Sequence, residues 1–288
     1  MSVTKVCHHL GFSRQTFYYL IQKKVKDEFS AKIMKQKVLN IRKDQARIGG
    51  RKLIYLLQED FRKAGIRIGR DKFFKFLKTQ HLLVKRKKNR TITTRSYKRF
   101  RQHPNLIKDL EIRRPEQVWV SDITYVNCKK GPLYLHLVTD AYSKKIMGYF
   151  LSDDLKTKST LAALSMALKN RKYPNRKLIH HSDRGFQYAS EMYTQKLKNE
   201  KIKISMTTKY DPYENAIAER VNGILKDEFE ISNRKLSMSD AKRNVNHAIK
   251  TYNQKRPHWS CHFLTPNQAH EFGKFKLKKY SKFQFSKN

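Results

Sequence analysis

Apolar positions follow two different periods along this chain, and the change falls near Pro115. From Val3 to about Leu83 the spacing is helical, with Ile33, Val38 and Ile41, then Leu53, Leu56 and Leu57, then Phe73, Phe74 and Leu77, broken at Gly49–Gly50 and Gly65. Residues 3–24 predict a short helix, a turn at Gly11 and a second helix with Ser13 as its N-cap. That is a helix-turn-helix layout, with Arg14, Gln15 and Thr16 opening the second helix toward base edges or phosphates. The plainer alternative is a helical hairpin in which Leu10, Phe12, Phe17 and Leu20 pack together. The stretch 66–83, IRIGRDKFFKFLKTQHLL, is either a second such unit or part of an ordinary bundle.

Beyond Pro115, β-branched and aromatic runs predict strands at 117–126, 133–140 and 145–151, joined by short turns in the manner of an antiparallel meander. A helix over 158–172, a strand over 177–181, a helix over 190–200, a strand over 203–207, and helices from about 214 and over 239–253 follow. Three strands and then alternating helices and strands imply an α/β class, a mixed five-stranded sheet flanked by helices, preceded by the all-α helix-turn-helix-like region. The expected organisation is a helical DNA-binding region at 1–84, a basic linker at 85–112, a catalytic core at 113–272 and a basic tail at 273–288.

Charge narrows the partners. The 288 residues hold 64 Lys and Arg against 24 Asp and Glu, a net +40, and the excess runs through both halves of the chain. A compact state with that charge repels itself unless an anion shares it; a nucleic-acid phosphate backbone is the expected partner and a membrane surface the weaker alternative. The acid-free run 85–101 contains Lys85, Arg86, Lys87 and Lys88, with Tyr97 and Phe100 among its cations, and reads as a segment that lies along a DNA backbone. Apolar runs such as Leu133–Val138 are too short to cross a bilayer, and none follows Met1 as a secretion signal requires; a cytoplasmic protein with no membrane partner is expected. Cys7, Cys128 and Cys261 match neither a disulfide framework nor paired zinc spacing and are expected as buried thiols. His180–His181 and the His258/His262 pair lack an accompanying CxxC, so zinc is not expected there.

Three acids stand out. Asp122 sits inside the strand WVSDITYV, where a carboxylate is costly to bury unless paired or bound to a cation. Asp183, in HHSDRGFQY, directly follows a strand, at the sheet edge where open α/β folds place ligands. On the helix beginning near residue 214, Asn215, Glu219, Asn222 and Lys226 share one polar face, while Ile217, Val221, Ile224 and Leu225 form the packed side. Oxygen ligands of this kind suit Mg²⁺ or Mn²⁺, and two such ions activate the attacking oxygen and stabilise the leaving one, with no protein nucleophile. Nearby Asp140, Asp211, Glu214, Asp227 and Glu228 leave the third ligand open on the residues alone.

These motifs resemble those of insertion-sequence transposases of the DDE group, in the retroviral-integrase-like superfamily with the RNase H-like fold. The resemblance runs from Trp119 to Gln268 and rests on Asp122-Ile123-Thr124-Tyr125, the Leu178–Gly185 run, Asn215-Ala216, Glu219, Lys226 and Thr265-Pro266. In that family the third acid follows the second Asp after 35 intervening residues, the gap between Asp183 and Glu219 (219 − 183 − 1 = 35). The resemblance therefore selects Asp122, Asp183 and Glu219 as catalytic metal ligands and implies end cleavage to a 3′-hydroxyl followed by strand transfer. It also implies a phosphate contact by Lys226, and Asn215, Arg220 and Arg184 beside the acids are taken as further DNA contacts. Ser121, Phe186, Glu214 and Tyr210-Asp211-Pro212 depart from the family's usual residues without removing a ligand. Relatives are often made from two overlapping frames; this chain looks like the downstream product, expected as a homo-oligomer on DNA, with an upstream helix-turn-helix protein or fusion as a further partner. A nuclease of the same fold that does not join DNA, and a DNA-binding regulator that has lost catalysis, are the competing readings.

Overall fold

The computed structural model describes residues 2–85, 103–208, 215–232, 235–273 and 275, and the chain divides into two compact units, 1–86 and 87–288. The first unit is helical. Helix α1 (Val3–His9) ends in a turn at Gly11, whose φ of +71° is left-handed and favours glycine, and the Ser13 hydroxyl accepts the Thr16 amide at 3.1 Å as α2 begins. The second helix does not stop near residue 24: α2 spans Arg14–Asp44, because nothing in the sequence breaks it before the turn near Gly49. Its C-terminal half packs Met34 and Val38 with Leu53, Leu57 and Phe61 of α3 (Gly50–Lys63) and Phe73, Phe76 and Leu77 of α4 (Arg70–Thr79). The 66–83 stretch is thus part of a three-helix bundle. Leu10 and Leu20, expected to close the hairpin, are largely exposed.

The second unit is built on a five-stranded sheet of order β3-β2-β1-β4-β5. β1 (Val118–Cys128), β2 (Gly131–Asp140) and β3 (Ile146–Ser152) form the antiparallel meander, and β4 (Ile179–Ser182) and β5 (Lys203–Met206) add in parallel. Alternation along the strands feeds two cores. On one face Val126, Leu135 and Leu137 pack with Val221 and Leu225 of α8 (Ala216–Glu228) and Val245, Ile249 and Tyr252 of α9 (Met238–Lys255). On the other, Trp119, Val138 and Met147 pack with Ala163, Leu164 and Ala167 of α5 (Thr157–Lys169) and Tyr193 and Leu197 of α7 (Glu191–Asn199). Gly148 makes the second packing possible, since a Cβ there would meet the Ala163 carbonyl at 2.1 Å. This is the mixed, helix-flanked sheet of the RNase H-like fold.

Two short helices escaped the periodic reading: α6 (Phe186–Ala189) and α10 (Pro266–Phe272). The thiols of Cys7, Cys128 and Cys261 are free and buried. No helix among the described residues is long and apolar enough to cross a membrane. Most of the basic linker and tail lies outside the described residues.

Candidate active site

Parallel pairing brings the two aspartates together. β1 and β4 register Val118 with Ile179, Trp119 with His180 and Val120 with His181; carried two residues further, that register sets Asp122 beside Asp183. Asp183 stands just past the end of β4, where the Gly185 amide donates to its Oδ1 at 3.0 Å. A Cβ on Gly185 would sit 3.0 Å from that same oxygen, so the glycine keeps the turn from displacing the carboxylate.

Helix α8 supplies the third acid and is pinned to β1 on both sides of it. The Asn215 amide donates to the Ser121 carbonyl at 3.1 Å, and the Asn222 amide donates to Asp122 Oδ2 at 2.7 Å. Glu219, four residues after one amide and three before the other, shares their helix face. The amides expected on a polar face toward the site are therefore buried against the strand, and they aim that face at Asp122.

Electrostatics couple the three acids. Burial, then the neighbouring Asp183 charge and, more weakly, the Glu219 charge push the Asp122 carboxyl up to about 7, against hydrogen bonds from the Ile123 amide (2.9 Å) and Asn222 that favour the charged form. Burial also raises Asp183, opposed by the Gly185 amide. The Tyr188 hydroxyl is buried with no hydrogen-bond partner among the described residues, and burial first, then Tyr193, Asp183 and Asp122, raise its pKa well above the ordinary value. Behind Asp122, the Ser121 and Tyr193 hydroxyls both reach His180 Nε2, at 2.8 and 2.9 Å. Burial drives His180 down to about 3, so its ring is neutral and braces the strand.

Among the described residues no group of three His, Cys, Asp or Glu side chains stands assembled around a metal position. The donor set still fits a hard cation: all three side chains offer oxygen only, two share one strand level, and the charges of Asp183 and Glu219 raise the proton affinity of Asp122, which a divalent ion relieves.

The expected DNA contacts divide. Lys226 lies in the last turn of α8, half-buried on the Glu219 face, and Arg220 is exposed. Arg14, Gln15 and Lys85 are exposed in the first unit; Arg86, Lys87 and Lys88 lie outside the described residues. Two of the expected contacts are engaged within the protein: Asn215 is buried and its amide serves Ser121; the half-buried Arg184 guanidinium donates to the Thr207 carbonyl at 2.6 Å and to the Thr208 carbonyl, bracing the end of β5. The sequence reading missed the part played by Asn222, Tyr188 and His180. Only Asn222 left a sequence signal, an amide one helical turn after Glu219.

Family models of the integrase core domain match residues 112–212 and 200–266. The chain is 32% identical over 269 residues, 91% of its length and 96% of the relative's, to the insertion element IS600 uncharacterized 31 kDa protein of Shigella sonnei. It is 29% identical to the transposase for insertion sequence element IS629 of Shigella sonnei, covering 78% of this chain and 76% of the relative. The integrase catalytic core of HTLV-2, solved with magnesium, superposes with a TM-score of 0.44 at 22% identity over 55% of this chain and 97% of that one. The chain belongs to the insertion-sequence transposases that carry an integrase core domain. It is a DNA transposase acting in transposition and recombination, hence a polynucleotidyl transferase.

Proposed function

We propose that Asp122, Asp183 and Glu219 hold Mg²⁺ or Mn²⁺, two ions in the working enzyme, for cleavage of the element's ends to a 3′-hydroxyl and its transfer into target DNA. The observation that supports this reading is the pinning of α8 to β1 by Asn215 and Asn222, one on each side of Glu219 along the same helix face. When bound, the ions polarise the scissile phosphate and activate the attacking water or hydroxyl.

The chain's own residues prepare that chemistry. Asn222 and the Ile123 amide each take one oxygen of Asp122, so its rotamer is fixed before a cation arrives. Gly185 does the same for Asp183. His180, Ser121 and Tyr193 hold the strand behind Asp122 and keep that region neutral. Lys226, one face along from Glu219, contacts an end phosphate, with Arg220 beside it, and Arg14, Gln15 and the Lys85–Lys88 run contribute binding along the duplex. The working partner is double-stranded DNA held by a homo-oligomer, joined by an upstream-frame product or fusion, and the working compartment is the cytoplasm.

The test uses the full chain, Mg²⁺ or Mn²⁺, and a labelled duplex bearing the terminal repeats that flank the coding sequence. Asp122→Asn, Asp183→Asn and Glu219→Gln abolish cleavage and leave the gel-shift intact; a fully active Glu219→Gln protein overturns the assignment. Pre-cut ends with a free 3′-hydroxyl yield joined products from a transposase and none from a plain nuclease.

A further inference from the structure

Helix α2 has two apolar faces, and its own bundle covers only one. In the C-terminal half, Met34 and Val38 turn into the core with α3 and α4. Tyr18, Ile21, Val25 and Phe29 recur at helical spacing on the other side: at about 100° per residue, Val25 lies about 180° round the helix from Met34. These four are 48%, 44%, 62% and 65% exposed, and every residue from Tyr18 to Phe29 is exposed. Three turns of large apolar side chains directly opposite the core are not explained by packing within the unit, and a surface of this kind marks a contact. Between its basic ends the stripe presents four large apolar side chains, which a DNA backbone does not engage.

We propose that this stripe pairs with the same stripe of a second copy, antiparallel, with Val25 at the two-fold axis. The charges on α2 choose this arrangement. Arg14 and Lys32 extend the stripe at its two ends, so a parallel pair would stack Arg14 on Arg14 and Lys32 on Lys32. The antiparallel pair sets Tyr18 against the aliphatic stem of Lys32, Arg14 against Gln36, and Ile21 against Phe29. Lys24 and Glu28 share one flank, and in an antiparallel pair like flanks meet, so Lys24 of each copy comes within a turn of Glu28 of the other. Oligomer formation belongs to the family; what α2 adds is the surface and its register, and neither depends on the catalytic assignment. A two-fold pair supplies one copy for each end of an element.

The full chain without DNA is examined by sedimentation equilibrium, and single cysteines are then oxidised to map the register. The native thiols are buried and leave the readout clean. Val25→Cys cross-links to itself; Ile21→Cys alone does not, but a mixture of Ile21→Cys and Phe29→Cys does. Val25→Lys, which sets two cations together at the axis, weakens the dimer by about tenfold or more. Lys24→Glu weakens it by about two- to fivefold, and adding Glu28→Lys restores it. Each variant sits at an exposed position, and unchanged circular dichroism verifies its fold. A wild-type chain that stays monomeric at every concentration, a dimer indifferent to Val25→Lys, or Ile21→Cys cross-linking alone as well as Val25→Cys overturns the proposal.

Discussion

Strand β1 has a buried acid just before it and a half-buried one within it, and the two are treated in opposite ways. Glu116, fully buried, receives the Lys172 amide at 2.7 Å and the Tyr173 amide at 3.1 Å, with Arg171 Nε 3.4 Å and His270 Nε2 3.2 Å away. Burial alone would raise its pKa, but the His270 contact and the two amides outweigh it and hold the carboxyl below the usual range. Asp122 has one backbone amide and Asn222, and burial first, then the neighbouring acids Asp183 and Glu219, push it up to about 7. An acid whose surroundings are already cationic is a structural tie. An acid whose charged neighbours are acids is where the proposed function puts a cation.

Single substitutions can break that contrast, and the largest effect is on chemistry. Asp122→Asn loses at least about 10³-fold in end cleavage, because the lost ligand acts in the transition state, while its melting temperature holds or rises. Glu116→Gln does the reverse. Removing one partner of a buried ion pair costs about 3 kcal/mol, a fall of about 6–12 °C for a unit of this size, with cleavage per folded molecule within about twofold of wild type. If Glu116→Gln lost cleavage at full stability, the division between tie and site would be wrong.

Acidity gives the next test. Between about pH 4, where an unfolded Asp titrates, and about 7, the folded protein keeps a proton on Asp122 that the unfolded chain has released, so metal-free stability declines as pH rises through that window. The slope from this one proton is at most about 1.4 kcal/mol per pH step of one. Mg²⁺ takes over the proton's role, so it raises the melting temperature more at pH 8 than at pH 5, and Asp122→Asn removes most of both effects. Melting curves that respond equally to Mg²⁺ at both pH values would falsify the account.

The sheet and the helix-flanked class were legible because their signature is local, alternation in β1 and β2; Asp122 stood out as an acid in an apolar strand, while the choice of Glu219 came from the family resemblance and its gap from Asp183. The Glu116 tie was not. Its donors lie 56, 57 and 154 residues away, and Glu116 itself takes a left-handed φ of +53° that no sequence pattern announces in a glutamate. Helix α10 did leave a signal, since Thr265 caps it in a capping box with Gln268 and Pro266 opens its first turn, but at seven residues it is too short to show a period. Helix α2 was cut short in the reading because its outward apolar stripe interferes with the core-facing one, so no single period survives along its length.

The polar face of α8 was read correctly as a face and incompletely in its direction, and Asn222 is where that matters. Its 2.7 Å hydrogen bond holds Asp122 Oδ2 from a helix that also carries Glu219, so one side chain links the position of two acids. Asn222→Ala keeps all three carboxylates but frees the Asp122 rotamer, and orienting partners of metal ligands are worth about 10–100-fold in metal affinity or activity. The expected result is a rise of about tenfold in the Mg²⁺ concentration needed for half-maximal end cleavage, with the rate at saturating metal recovering to within a few-fold of wild type. A structural fault elsewhere would lower the rate at every Mg²⁺ concentration and leave the midpoint in place. An unchanged midpoint in a folded Asn222→Ala protein would mean that α8 presents Glu219 without help from this bond, leaving Asn215 alone to orient the helix.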